Sequence, residues 1–210
     1  MKLIGVTGLA RSGKDHAAAY LARHMDLYKY AFAEPLKTML KSVFGDHFHE
    51  GDRSGICPET CKSYRVMMQT LGTEWGRELM NPQVWVNLVE KKRKWVEAGC
   101  PFEADSSRFS NLKVNGEDLI KGMVLSDVRF DSEAEYLQIH GGVILEIVRP
   151  LEHSTVTEKL KAAVANVGIV NHESERGISR HFVTHTIVND GSLYDFDMKL
   201  MDLVSELEGH

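Results

Sequence analysis

The chain has 210 residues, 43% hydrophobic and 26% charged, with 25 Lys and Arg against 30 Asp and Glu for a formal net charge of −5. That size suits one large domain or a core with insertions, the composition is too apolar for disorder, and the acidic balance does not indicate a general polyanion-binding surface. Three cysteines are too few for a disulfide framework, and no apolar run approaches the roughly 18 residues of a membrane span, so the expectation is a cytoplasmic protein without signal peptide or membrane contact.

Residues 2–7 read as a short buried strand running directly into Gly8-Leu9-Ala10-Arg11-Ser12-Gly13-Lys14-Asp15. Residues 16–25, rich in alanine and leucine, read as a helix. Residues 28–32 form a second strand candidate, and Pro35 suits the first turn of a helix over 34–44. The stretch 45–59, with three glycines and Pro58, reads as a loop, and helices are expected over 62–79 and 84–96 on either side of Asn81-Pro82. Within the uninformative stretch 99–122, Lys113-Val114-Asn115-Gly116-Glu117 has the composition of a hairpin turn. Further strands are expected over 123–126, 142–148 and 184–188, with a helix over 132–140 between the first two. Phe196, Leu200, Leu203, Val204 and Leu207 give the closing helix an apolar stripe. This alternation predicts an α/β fold, a parallel sheet of about five strands flanked on both faces by helices. We expect one domain over residues 1–210, with a helical insertion at roughly 34–98 and a lid at roughly 149–180, because long ordered insertions are more often binding loops than idle connections.

The spacing Gly8-x-x-x-x-Gly13-Lys14, between a strand and a helix, is that of a phosphate-binding P-loop. Its glycines let backbone N–H groups curl around an anion, the helix N-terminus adds partial positive charge, and Lys14 reaches the outer phosphates of a triphosphate. Where a Ser or Thr usually follows the lysine to touch Mg²⁺, Asp15 stands here; a carboxylate is a hard-oxygen partner for the same ion, although Asp15 also suits a helix N-terminus.

The loop Arg11-Ser12-Gly13-Lys14-Asp15 resembles that of phage deoxynucleoside monophosphate kinases and, more loosely, that of phosphomevalonate kinases. The resemblance continues through Phe32-Ala33-Glu34-Pro35-Leu36-Lys37, Gln69-Thr70-Leu71-Gly72-Thr73, Ser126-Asp127-Val128-Arg129-Phe130 with Glu133 beyond, Glu173-Ser174-Glu175 and Asn189-Asp190-Gly191. It implies a P-loop NTPase fold with nucleotide and lid insertions, and ATP-dependent phosphorylation of a deoxynucleoside monophosphate to its diphosphate. ATP is then the co-substrate and Mg²⁺ the cofactor. The partners are small-molecule nucleotides rather than a nucleic acid polymer, the location is the host cytoplasm if the chain is phage-encoded, and a homodimer is left open. Glu133 joins the substrate-binding set on this resemblance alone.

Asp127, at the carboxyl end of an apolar strand, stands where a second P-loop-enzyme carboxylate holds Mg²⁺ through water, and Arg129 projects over the same crevice. The resemblance matches Arg129 to an arginine at the phosphates, which with Lys14 and Arg11 makes up the catalytic candidates. Arg65, Gln69, Gly72 and Gly76 share one helical face, suited to a base and a phosphate, with Met68, Leu71, Trp75 and Leu79 as an apolar stripe beside it. Lys37 is a further phosphate candidate, Trp75 and Trp85 read as core, and Asn189 sits where the adenine is covered. Arg149, Arg176 and Arg180 are candidate lid cations. His47, His49, Cys57 and Cys61 do not fall in a zinc-finger order. A kinase for another phosphorylated metabolite is the alternative. A guanine-nucleotide switch is disfavoured because no Asn-Lys-x-Asp signature follows a strand.

Overall fold

The first strand is buried on both faces from Leu3 to Thr7, and its side chains point alternately to two cores that set out the two sides of the molecule. The computed structural model describes residues 1–45, 55–98, 120–150 and 177–209. In β1 (Lys2–Thr7), Ile4 and Val6 face one core while Leu3 faces the other. The first core is closed by Ala17, Ala18 and Leu21 of α1 (Lys14–His24). Strand β2 (Leu27–Tyr30) leads into α2 (Glu34–Phe44), which has Pro35 in its first turn as expected.

Residues 31–121 separate β2 from the strand beside it. They hold a two-stranded antiparallel hairpin of β3 (Ile56–Cys57) and β4 (Lys62–Ser63), then α3 (Tyr64–Thr70), a π-helical segment Leu71–Met80, and α4 (Val84–Glu97). The expected loop 45–59 therefore ends in a hairpin strand, and the helix expected from residue 62 begins at Tyr64, where the Ser63 hydroxyl accepts from the Val66 N–H at 3.2 Å. The hairpin expected at 113–117 lies outside the described residues.

The sheet is completed by β5 (Gly122–Leu125), β6 (Val143–Val148) and β7 (His185–Val188), with α5 (Asp131–Ile139) between β5 and β6. A 3₁₀ turn (Arg180–Phe182) precedes β7 and α6 (Leu193–Glu208) closes the chain. All pairings are parallel in the order β2-β5-β1-β6-β7, so the first strand lies at the centre. Phe196, Leu200 and Leu203 of α6 are buried with α1 on one face, with Val204 and Leu207 packed partly against them. Val89 of α4 and Leu137 of α5 belong to the opposite core, where the Tyr136 hydroxyl donates to Glu90 at 2.8 Å and ties α5 to α4. No helix among the described residues is long and apolar enough to cross a membrane.

The helix expected over 62–79 changes character at Leu71. Bonding of the i→i+5 kind lodges an extra residue in each turn, as in the 2.9 Å bond from the Asn81 N–H to the Gly76 carbonyl. The Gly72 carbonyl also accepts from the Trp85 indole at 2.7 Å and from the Arg77 guanidinium at 3.2 Å. The predicted faces rotate accordingly. Gly76 leaves the Arg65/Gln69 face and backs onto the Trp85 ring, and Leu79, expected in the apolar stripe, is 72% exposed. Trp85 is buried at 1% exposure beside Leu36 and Leu40, a core residue as expected, while Trp75 is only partly buried against them.

A methyl group on Gly76 would lie 2.5 Å from the Trp85 ring, which is buried and pinned through its N–H. Gly76→Ala should therefore destabilise the protein by about 1–3 kcal/mol, the usual cost of overpacking. The check is the urea midpoint, which should fall at an unchanged slope; an unmoved midpoint would contradict the packing of this segment.

Candidate active site

At the end of β1 the chain enters the glycine loop with Gly8 at φ 142° and Gly13 at φ 105°, conformations that L side chains rarely adopt. Space is also closed to a side chain at Gly13, whose Cβ would meet the Asn189 amide at 2.7 Å. Asn189 donates that amide to the Ser12 carbonyl at 2.9 Å, which ties the loop to the end of β7. Ser12 is buried, and its hydroxyl has no hydrogen-bond partner in the protein. Lys14 opens α1 and is only 8% exposed, with Nζ 3.4 Å from the Leu9 carbonyl. Its ammonium is thus folded onto the loop rather than standing in solvent. Arg11 is exposed with φ 65°, and Asp15 is exposed in the first turn of α1.

The turn after β5 is held against this loop from the side. The Val128 N–H donates to the Val6 carbonyl at 3.1 Å, and the Thr7 hydroxyl donates to the Val128 carbonyl at 2.8 Å. Asp127 and Arg129 thereby come together, with Arg129 Nε 3.0 Å from Asp127 Oδ1. Both are largely withdrawn from solvent, the Asp127 side chain to 12% exposure and that of Arg129 to 25%, so the attraction is less screened than at a surface.

A cleft of about 580 Å³, open to solvent at its mouth, runs from this turn to the helical insertion. Phe32, Ala33 and Leu36 form one wall, and Arg129, Phe130 and Glu133 another. The helical wall carries Arg65, Met68, Gln69, Gly72, Thr73 and Arg77, with Trp85 behind. Arg65, Gln69 and Gly72 are thus brought together as the sequence suggested, and Gln69 Nε2 is buried without a hydrogen-bond partner in the protein. Lys37 lies one turn beyond Ala33 on α2 and is not among the lining residues.

Glu133 lines the cleft, but its oxygens are engaged by the protein. Oε1 accepts from Arg77 at 2.5 Å, and Oε2 accepts from the backbone N–H groups of Arg129 at 2.8 Å and Phe130 at 3.3 Å. Burial outweighs Arg77 and these two N–H groups and pushes the carboxyl up to about 7. The Arg77 guanidinium also lies over the Phe130 ring, 3.7 Å from its centroid.

Thr73 and Phe130 stood in the quoted motifs without a role, and Arg77 was missed. On a regular helix Arg77 falls about a quarter-turn from Gln69, and only the π-helical turn brings it into the cleft. Among the lid candidates, Arg149 and Arg180 are exposed and Arg176 lies outside the described residues, as do His47 and His49. Cys57 is buried and donates to Glu59 at 3.1 Å, while Cys61 is exposed. Among the described residues no three His, Cys, Asp or Glu side chains form a metal-holding group.

A glycine loop between the central strand and the first helix of a five-stranded parallel sheet, with a second carboxylate at the end of the neighbouring strand, defines a P-loop fold. A solved structure of a Chloroflexus aurantiacus protein named as a kinase shares that fold with a TM-score of 0.50 at 14% identity, covering 99% of this chain and 96% of its own. Within that class, residues 2–58 match the family of deoxynucleotide monophosphate kinases. The chain is 28% identical over 161 residues to a protein of Acanthamoeba polyphaga mimivirus that carries the provisional name deoxynucleotide monophosphate kinase, covering 71% of this chain and 75% of that one. It is 27% identical over 151 residues to the deoxynucleoside-5'-monophosphate kinase of Escherichia phage T5, covering 68% of this chain and 49% of that one. The likeness carried by the motifs is to this same family.

The Glu133 carboxyl makes stability depend on pH. An ordinary glutamate releases its proton near 4.5, so between about 4.5 and about 7 the native state holds a proton that the unfolded chain has released. Its contribution to stability therefore falls as pH rises through that window and levels off above it. Glu133→Gln does not titrate. The stability of the native protein relative to this variant should decline from pH 4.5 to 7 in urea unfolding, and a constant difference would contradict the burial account.

Proposed function

We propose that the chain is an ATP-dependent deoxynucleoside monophosphate kinase, which moves the γ-phosphoryl group of ATP onto the phosphate of a deoxynucleoside monophosphate. The observation that carries this reading is the junction of a phosphate loop with an arginine-lined cleft through one short turn, 127–130. The names of the relatives point to the same reaction. The buried amide of Gln69 favours an acceptor with a base edge over a phosphorylated acid without one, because an unpaired donor facing an apolar ligand is costly.

In this reading Gly8, Ser12, Gly13 and Lys14 hold the ATP phosphates, with Asn189 near the adenine. Arg65 forks onto the acceptor phosphate and Gln69 pairs with the base, while Lys37 supports the phosphate end from α2. The acceptor oxygen is already anionic, so it attacks the γ-phosphorus in line without a general base, and positioning and charge neutralisation carry the rate. Lys14, Arg129 and Arg11 neutralise charge on the group in flight. Asp15, and Asp127 beside its Arg129 partner, are the carboxylates that would hold Mg²⁺. A donor set of two acids fits an ion that takes its remaining ligands from phosphate and water, and the ion supplies charge neutralisation at the phosphates when bound. The whole chain then acts as one kinase domain on free nucleotides of the cytoplasm, with 34–98 as the acceptor-binding insertion and 149–180 as the lid.

The test is diphosphate formation from a panel of deoxynucleoside and nucleoside monophosphates with ATP and Mg²⁺, run on the native chain and on Arg65→Ala. Deoxynucleotides should be phosphorylated. Loss of a charge-assisted hydrogen bond of about 1.5–3 kcal/mol should raise KM for the monophosphate roughly ten- to a hundredfold, with KM for ATP little changed. Absence of diphosphate from every monophosphate would overturn the assignment, and an equal loss for both substrates would remove Arg65 from the acceptor site.

A further inference from the structure

We propose that Arg77 and Glu133 form a positioning pair that joins the acceptor cleft to the turn carrying Arg129, so that neither touches the reacting atoms and both set where Arg129 stands. The inference rests on the kinase reading above.

Its basis is the way Glu133 divides its two oxygens. One is given to Arg77, on the helical wall that also carries Arg65 and Gln69, and the other to the backbone N–H groups of Arg129 and Phe130. The Arg77 guanidinium is fixed on three sides, by Glu133, by the Gly72 carbonyl and by the Phe130 ring. The same Gly72 carbonyl takes the Trp85 indole N–H, so the chain of contacts is anchored in the core of the insertion. On the far side, Thr7 and Val6 hold Val128 to the strand of the phosphate loop. The turn 127–130 is therefore gripped from both substrate sides, and Arg129 leaves it between the two grips.

Capping of α5 accounts for the bond from the Phe130 N–H to Glu133, but not for the bond from the Arg129 N–H or for Arg77. A buried ion pair seldom stabilises a fold more than apolar side chains of equal volume, because both charges must be desolvated. Here one charge spends half of its acceptor capacity on backbone next to the paired residues Asp127 and Arg129. The guanidinium uses one nitrogen on Glu133 and another on the Gly72 carbonyl, and the carboxylate one oxygen on Arg77 and the other on the turn, so direction as well as distance is fixed. Displacing a charge-stabilising group by a fraction of an ångström weakens the transition state while leaving substrate affinity, which lies with Arg65, Gln69 and the phosphate loop, largely intact.

The experiment is steady-state kinetics on Glu133→Gln, Arg77→Gln and the double variant, each with ATP and the best monophosphate of the panel. Each single change should lower kcat roughly ten- to a hundredfold and leave both KM values within about threefold. The double variant should be no slower than the poorer single variant by more than about threefold, because groups that act as one unit lose their effect once. Raised KM for the monophosphate at unchanged kcat would make the pair part of the binding surface and overturn the proposal, as would losses that multiply in the double variant. Where a glutamine variant fails to fold by circular dichroism, Arg77→Lys carries the same test. It keeps the charge and loses the flat fork over Phe130, so kcat should fall at unchanged KM, and native kcat would overturn the proposal. A native chain that forms no diphosphate would instead count against the kinase reading itself.

Discussion

The parallel pairing of β1 with β5 is the constraint on which the site depends. Register places Gly5 opposite Leu125, so the two strands end side by side, one in the glycine loop and the other in the turn from Asp127 to Phe130. The Thr7 hydroxyl and the Val6 carbonyl then fasten that turn through Val128. On its other side β5 pairs in parallel with β2, and the crossover that joins those two strands contains the whole helical insertion. The cleft is therefore delivered to the glycine loop by the same topology that makes the sheet.

Stability is unevenly spread over this arrangement. Both faces of the sheet are sealed by extensive cores, one with α1 and α6, the other with α4 and α5. The insertion has its own smaller cluster, in which Leu36, Leu40 and Trp85 are the fully buried members among the described residues. Few buried apolar contacts place a region toward the low end of local stability. The helical wall that carries Arg65 and Gln69 is thus built on the less heavily packed part of the molecule, while the phosphate loop stands on the most heavily packed part. The Arg77–Glu133 contact bridges the two.

The phosphate loop was legible because four signals coincide there: the strand, the glycine spacing, the lysine and the helix. Asp127 and Arg129 were legible as polar residues at the end of an apolar run. The face with Arg65, Gln69 and Gly72 was half legible. Helical periodicity placed its first three members correctly, then lost Gly76 and overlooked Arg77, because a change from i→i+4 to i→i+5 bonding has no periodicity signature of its own. What marks it locally is the capture of the Gly72 carbonyl by Trp85, a contact between residues 13 positions apart that no local pattern contains. The hairpin at Ile56–Cys57 and Lys62–Ser63 was invisible for a simpler reason, since strands of two residues are too short to show alternation. Burial of Lys14 was hidden as well, because a lysine in a glycine loop reads as solvated until the loop's own carbonyls are seen around it.

In the proposed function a deoxynucleoside monophosphate occupies the cleft with its phosphate toward Arg65 and Arg129 and its base toward Gln69. A crystal structure with a deoxynucleoside monophosphate bound tests this most directly. Phosphate oxygens should lie within hydrogen-bond distance of one or both arginines, with a base edge paired with the Gln69 amide. A monophosphate lodged in the glycine loop or elsewhere, with the cleft between Phe32 and Phe130 left open, would contradict it.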